Sequence, residues 1–244
     1  MHKARFSRSR QRNRKKYSTA SCAGIFLSTA DWKSRCFLRE LCLTQYSKSV
    51  YYPPYMLTEI TVSAPAKINI GLNVLPVRED GFHSIESIFQ TVDLCDELKV
   101  RLTSGTGRCE VLCSSMVLPE NNTISTAYKA FSDIAGKKSS VCIELKKNIP
   151  SGGGLGGGSS DAAALVRALE KLNGVTLSDK ELHAIADKVG SDVFFFLHAK
   201  ENGAAIVTGR GDCVRKIERR KDLIFVLVFP PVSSPTKEAY ALID

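Results

Sequence analysis

Pro150-Ser151-Gly152-Gly153-Gly154-Leu155-Gly156-Gly157-Gly158-Ser159-Ser160 is the stretch on which the reading of this 244-residue chain turns. Six glycines in seven residues run straight into a helical pattern: Ala162, Leu165, Val166, Leu169 and Leu172 form one apolar stripe, and Gly174 is placed to stop it. Glycine lets the backbone take positive φ and approach a ligand closely, so several N–H groups can converge on an anion. A helix N-terminus adds about half a positive charge, and serine hydroxyls add donors. The stretch therefore reads as a phosphate-binding loop. It is not a Walker A loop, which needs a lysine that is missing here. Gly152, Gly154 and Gly157 satisfy G-x-G-x-x-G, but a glycine run does so trivially. A dinucleotide site also wants a strand ending in an acid after the helix, and a second capped helix stands there instead. A flexible linker would not enter so well patterned a helix.

Working outward, Ser178-Asp179-Lys180-Glu181 is a capping box with Leu177 and Leu182 as its staple, and Gly190 ends that helix. A hairpin turning at residues 209–212 comes next, and then a strand over residues 223–229. Upstream, residues 141–145 read as a short strand, and residues 122–135 as a helix on Ile124, Ala127, Tyr128 and Phe131. Residues 94–102 and 109–112 read as strands on either side of Gly105-Thr106-Gly107. Residues 60–74 read as strand around Pro65, with a turn at 78–81. Strands and helices mixed without a regular βαβ repeat predict an α+β fold.

The net charge of +9 sits in one place: residues 1–55 hold twelve Lys and Arg against only Asp31 and Glu40, whereas the rest holds 22 against 23. Residues 1–16 are Arg- and Ser-rich, acid-free and without apolar periodicity, which predicts disorder. The 1–55 extension is foreign in composition to the rest of the chain. A translation start at Met56 is its plainest account, and a targeting leader or an RNA-binding arm are the alternatives. The remainder has no basic field for nucleic acid. Eight cysteines without C-x-x-C and four scattered histidines suggest free thiols in a reducing compartment, with neither a disulfide framework nor a zinc site. No stretch approaches the roughly 18 apolar residues of a membrane span, and the chain reads as cytoplasmic.

Three segments now stand in order: Pro65-Ala66-Lys67-Ile68-Asn69, the glycine loop running on to Ala162, and Val189-Gly190-Ser191-Asp192-Val193. Together they resemble the three corresponding segments of the galactokinase/homoserine kinase/mevalonate kinase superfamily of ATP-dependent small-molecule kinases. The resemblance implies a ribosomal-protein-S5-domain-2-like N-terminal domain over residues 56–217 and a ferredoxin-like C-terminal domain, of which residues 218–244 are the start. It implies ATP lying over Pro150, Ser151, Gly152, Gly153, Gly154, Leu155, Gly156, Gly157, Gly158, Ser159 and Ser160, with Asn122 and Lys147 near the adenosine. Asp192 would accept the acceptor's hydroxyl proton, and Lys67 would orient it. Mg2+ would bridge the phosphates, with no residue of the chain assigned to it.

Within the superfamily, Arg78-Glu79-Asp80-Gly81-Phe82-His83 resembles the cytidine-binding turn of the branch that phosphorylates the 2-hydroxyl of a cytidine-diphosphate-linked methylerythritol on the non-mevalonate route to isoprenoids. That implies cytosine stacked on Phe82 and hydrogen-bonded to His83, Asn69 reaching the substrate, and Thr236 and Tyr240 lining the pocket. Phe82 stands where tyrosine is usual, and Phe194 where proline is usual, which predicts a slightly altered turn after Asp192. The superfamily's third glycine-rich motif falls beyond Asp244, so the sequence reads as a fragment. The alternatives are a relative acting on homoserine or mevalonate, and a non-catalytic nucleotide- or RNA-binding protein.

Overall fold

The computed structural model describes residues 57–199 and 203–229. The 1–55 extension, Thr236 and Tyr240 lie outside the described residues. The element order is β1 (Glu59–Val77), β2 (His83–Thr106), β3 (Cys109–Cys113), α1 (Thr123–Ala135), β4 (Ser139–Lys146), α2 (Gly157–Asn173), α3 (Asp179–Val189), α4 (Ser191–Ala199), β5 (Ala204–Gly209) and β6 (Cys213–Ile217). This is a mixed sheet with helices, as the α+β expectation had it.

The 24-residue β2 is the spine of the sheet. It pairs antiparallel with β1 along nearly its whole length, from Glu59↔Arg101 to Val77↔His83. Its first part also pairs with β5 (Ile85↔Gly209) and its second with β4 (Glu97↔Lys146). β3 runs parallel to β4, and β6 closes a hairpin with β5. Residues two apart share a face of a strand, so Leu98 and Val100, Val141, Ile143 and Leu145, and Ala205 and Val207 bury together. They form one core with Phe131, Leu165, Leu169, Ile185 and Phe195 from the four helices. Phe89 meets Phe195 edge-on at 5.3 Å between ring centroids.

Local chemistry fixes where the helices begin and end. Asn122 caps α1 through the Ser125 N–H, and Ser178 and Glu181 form the expected capping box on α3. Glu170, buried near the end of α2, accepts from the Leu177 N–H at 2.7 Å and from Arg167 at 2.7 Å, which sets the α2–α3 connection. No helix among the described residues is long and apolar enough to cross a membrane.

Three expectations need correction. Residues 223–229 are not a strand: no ladder reaches them among the described residues. Ile224, Val226 and Val228 face outward almost fully exposed, while Leu227 packs on Ala66, Ile149 and Leu155. Strand β2 begins eleven residues earlier than residue 94, because its first part is fixed by partners far along the chain. Residues 191–199 form a helix that amphipathic periodicity could not reveal, since Val193, Phe194, Phe195, Phe196 and Leu197 are all buried. Phe194 is an ordinary residue of this helix, its ring 5.0 Å from that of His183.

Candidate active site

Lys67 joins the three sequence segments. A register shift between Pro65 and Lys67 interrupts the β1–β2 ladder, and the freed Lys67 N–H donates to the Leu155 carbonyl of the glycine loop at 2.9 Å. Its ammonium donates to Asn69 Oδ1 at 2.8 Å, lies 3.5 Å from Asp192 Oδ2, and sits 4.5 Å from the centre of the Phe89 ring. Lys67 is buried, whereas the Asp192 side chain stays 32% exposed and so reachable by a ligand. Asp192 stands in the first turn of α4, directly after Gly190, whose φ of +155° lets α3 end and α4 begin without a loop.

Asn69 is held in turn by Ser87. Asn69 Nδ2 donates to Ser87 Oγ at 3.1 Å, and that hydroxyl donates to the Gly71 carbonyl at 2.6 Å. The relay turns the amide oxygen toward Lys67. Ser87 and Phe89 escaped the sequence reading because their roles come from the β1–β2 register, in which Asn69 faces Phe89.

The glycine loop borders a cavity of about 290 Å³ lined by Thr123, Lys147, Ile149 and residues 150–159. Gly156 shows why the loop needs glycine. Its φ is +69°, and a Cβ there would lie 3.0 Å from the Phe196 ring and 3.2 Å from Lys67 Cγ. Gly156 is also the N-cap of α2 and has no side chain to satisfy the first-turn N–H groups, so these remain available to an anion. A cradle of this size, polarity and backbone geometry fits a nucleotide's phosphates.

The other expected residues fall on either side of this cradle. Lys147 lines the loop cavity, but its ammonium is held by two carboxylates, Asp96 and Asp161. Asn122 uses its side chain on its own helix: Oδ1 accepts from the Ser125 N–H and Nδ2 donates to the Pro119 carbonyl. The neighbouring Thr123 lines the loop cavity, its hydroxyl 3.1 Å from where a Gly158 Cβ would be. Phe82 is exposed on the turn between β1 and β2, where its N–H donates to Asp80 Oδ1 at 3.1 Å. His83 Nδ1 lies 2.9 Å from the Leu75 carbonyl, which orients the ring. Among the described residues, no group of three or more His, Cys, Asp or Glu could hold a metal ion.

A larger hollow of about 1050 Å³ runs along α2, α3 and α4, past Arg167, Glu170, Leu177 and His198. Neither Lys67, Asp192 nor residues 152–158 line it, so chemistry and not size selects the smaller cavity.

Comparison with known proteins places the chain beside similar sequences and folds. Residues 122–200 match the family described as GHMP kinases N terminal domain. The chain is 40% identical over 188 residues to a 4-diphosphocytidyl-2-C-methyl-D-erythritol kinase of Treponema pallidum, covering 77% of this chain and 64% of the relative. It is 45% identical over 175 residues to the Thermotoga maritima protein of the same name, covering 72% and 62%. The crystal structure of a 4-(cytidine 5'-diphospho)-2C-methyl-D-erythritol kinase superposes with a TM-score of 0.62 at 32% identity, covering 76% of this chain and 65% of that one. The chain thus spans just under two thirds of the length of these relatives. Residues 122–200 of this chain are thus similar to the GHMP kinases N terminal domain, and over residues beyond that stretch the chain is similar to 4-diphosphocytidyl-2-C-methyl-D-erythritol kinases.

Proposed function

We propose that the chain is an ATP-dependent kinase that phosphorylates the 2-hydroxyl of 4-diphosphocytidyl-2-C-methyl-D-erythritol. One observation carries the reading. Lys67 touches the glycine loop through its backbone N–H and the Asp192 carboxylate through its ammonium. A single buried residue therefore registers the phosphate cradle against a proton acceptor. Phosphoryl transfer asks for this kind of positioning, with charge neutralisation, more than for covalent chemistry by the protein.

In this reading Asp192 receives the acceptor's hydroxyl proton as the oxygen attacks the γ-phosphorus. Lys67 holds Asp192 in place and offers positive charge to the oxygens around it. Asn69, fixed by Ser87, holds the ammonium beside the Asp192 carboxylate. Mg2+ would arrive on the nucleotide's phosphates and supply further neutralisation, and no residue of the chain is assigned to it. Asn122, Thr123 and Lys147 stand on the nucleotide side.

Phe82 and His83 sit at the far end of the β1–β2 hairpin from Lys67, where Val77 pairs with His83. Ten residues at about 3.3 Å each put an upper bound of roughly 33 Å on that span. An acceptor that meets both ends must be extended, as a nucleoside diphosphate ester is. The relatives' names supply the acceptor's identity. We infer further that residues 56–217 are the S5-domain-2-like domain of such a kinase.

The test is product formation from ATP and Mg2+ with three acceptors: the cytidine-linked compound, homoserine and mevalonate. Only the first should be phosphorylated, and Asp192→Asn should lower kcat on the order of 10²-fold. Turnover of homoserine or mevalonate instead would move the chain to another branch. Near wild-type kcat in Asp192→Asn would remove Asp192 as the proton acceptor.

A further inference from the structure

Beneath the glycine loop lies a cluster of three charges, its two carboxyl groups buried and its ammonium at the edge of the loop cavity. Asp96 on β2 is 1% exposed and Asp161 on α2 is 2% exposed. The Lys147 ammonium donates to both, to Asp161 Oδ2 at 2.8 Å and to Asp96 Oδ2 in a tighter contact. The other oxygen of Asp96 accepts from the N–H groups of Asn148 at 2.5 Å and Ile149 at 2.8 Å. Ile149 immediately precedes the loop, and Asp161 lies just beyond it in the opening turns of α2. One ammonium therefore ties both feet of the loop to the sheet. It also reaches the loop itself, since a Cβ on Gly157 would lie 3.2 Å from Lys147 Nζ.

The cluster is short of positive charge, with one cation between two carboxyl groups. Asp161 Oδ1 is buried and has no hydrogen-bond partner. An ionised carboxylate left so incompletely solvated is costly, and protonation relieves that cost. The charged groups facing Asp161 are Lys147, from the connection after β4, and Asp96, from β2; the Cys113 thiol on β3 also feels Lys147. Burial pushes the Asp161 carboxyl up to about 7, Asp96 adds to the rise, and Lys147 opposes it.

We propose that Lys147 is a clamp shared by Asp96 and Asp161, and that phosphate entering the glycine loop draws on its charge so that Asp161 takes up a proton from solvent as nucleotide binds. The negative charge of the phosphates enters the cavity that Lys147 lines, and a neutral Asp161 then leaves the ammonium to Asp96 and the ligand. Lys147 and Asp161 are positioning residues in this scheme. The proposal rests on the reading of the loop as a phosphate site.

Calorimetric titration of the whole chain with ADP in saturating Mg2+, in two buffers of different ionisation enthalpy, reads both affinity and proton uptake. A group titrating near 7 that must be protonated in the complex makes binding about tenfold weaker at about pH 8 than at about pH 6. Wild type should show that loss and a fractional proton taken up. Asp161→Asn, which has the same shape and cannot titrate, should vary less than about twofold over the same range and lose the uptake. Asp96→Asn leaves the burial of Asp161 but removes the neighbour that adds to its rise, and should diminish the uptake, so the test does not depend on one variant folding. A flat wild-type profile, or uptake that persists undiminished in the variants, overturns the clamp and leaves the loop as a nucleotide site. No binding by wild type at any pH overturns the loop reading and the clamp with it.

Discussion

At Lys67 a single residue meets four neighbours: its N–H donates to the loop carbonyl of Leu155, and its ammonium meets Asn69, Asp192 and the Phe89 ring. Lys67 and Asp192 were singled out in the sequence by the resemblance of their segments to a known superfamily, and the fold brings the two side chains together. Ser87, Phe89, Asp96 and Asp161 were not singled out, because each gains its role from a residue that only strand register or helix packing brings near. Asp161 illustrates the difference. In the sequence it is one acid among the alanines and serines that open a helix; in the fold it is buried against a second carboxyl group. Its folded carboxyl is raised from 3.8 to about 7, so the folded chain holds this proton after the unfolded chain has lost it. The stability linked to that proton is complete below about pH 4 and is lost as pH rises through about 7. His198 works in the opposite direction. Burial first, and then His183, lower its pKa, so its contribution is lost as pH falls. Melting temperatures of wild type and Asp161→Asn across this window separate the two. The wild type should lose stability relative to the variant as pH rises, and parallel curves would deny the shift.

Helices α2 and α3 were readable as elements because stripe, cap and stop signals coincide within each. α4 carries no polar face, so a run of five buried apolar residues gave no period to read. β2 was half legible for a related reason: its first part alternates weakly and is held by β5, more than a hundred residues away. Residues 223–229 mislead in the opposite sense. Their alternation of exposed Ile224, Val226 and Val228 with half-buried Phe225 and Leu227 is a strand pattern without a neighbouring strand among the described residues. Packing of Leu227 beside Ile149 and Leu155, and of the Phe229 ring near Gly153, lays this segment against the loop instead. Hydrogen exchange should therefore find the amides of residues 224–228 unprotected, while those of residues 97–102, laddered on both sides, exchange slowly. Comparable protection in the two segments would mean that residues 224–228 have found a strand partner.

Across the whole molecule, the sheet serves as a ruler. β1 and β2 carry Lys67 and Asn69 near their middle and Phe82 and His83 at their turn, and the helices bring the glycine loop and Asp192 to the middle position. The outline of this plan was visible in the sequence, since the order of its segments is also the order of its parts. The depth of the site was not, because the bulge at Lys67 and the absence of a loop between α3 and α4 are properties of packing. In the proposed reading the site divides into a phosphate side at the loop and an acceptor side at Asp192, and nucleotide affinity tests that division most directly. Gly156→Val places a branched side chain against Phe196 and Lys67 at a left-handed position. It should weaken ATP binding at least about tenfold, or about 1.4 kcal/mol. Asp192→Asn should leave binding within about twofold of wild type. Unchanged affinity in a folded Gly156→Val chain, with affinity lost in Asp192→Asn, would contradict the account.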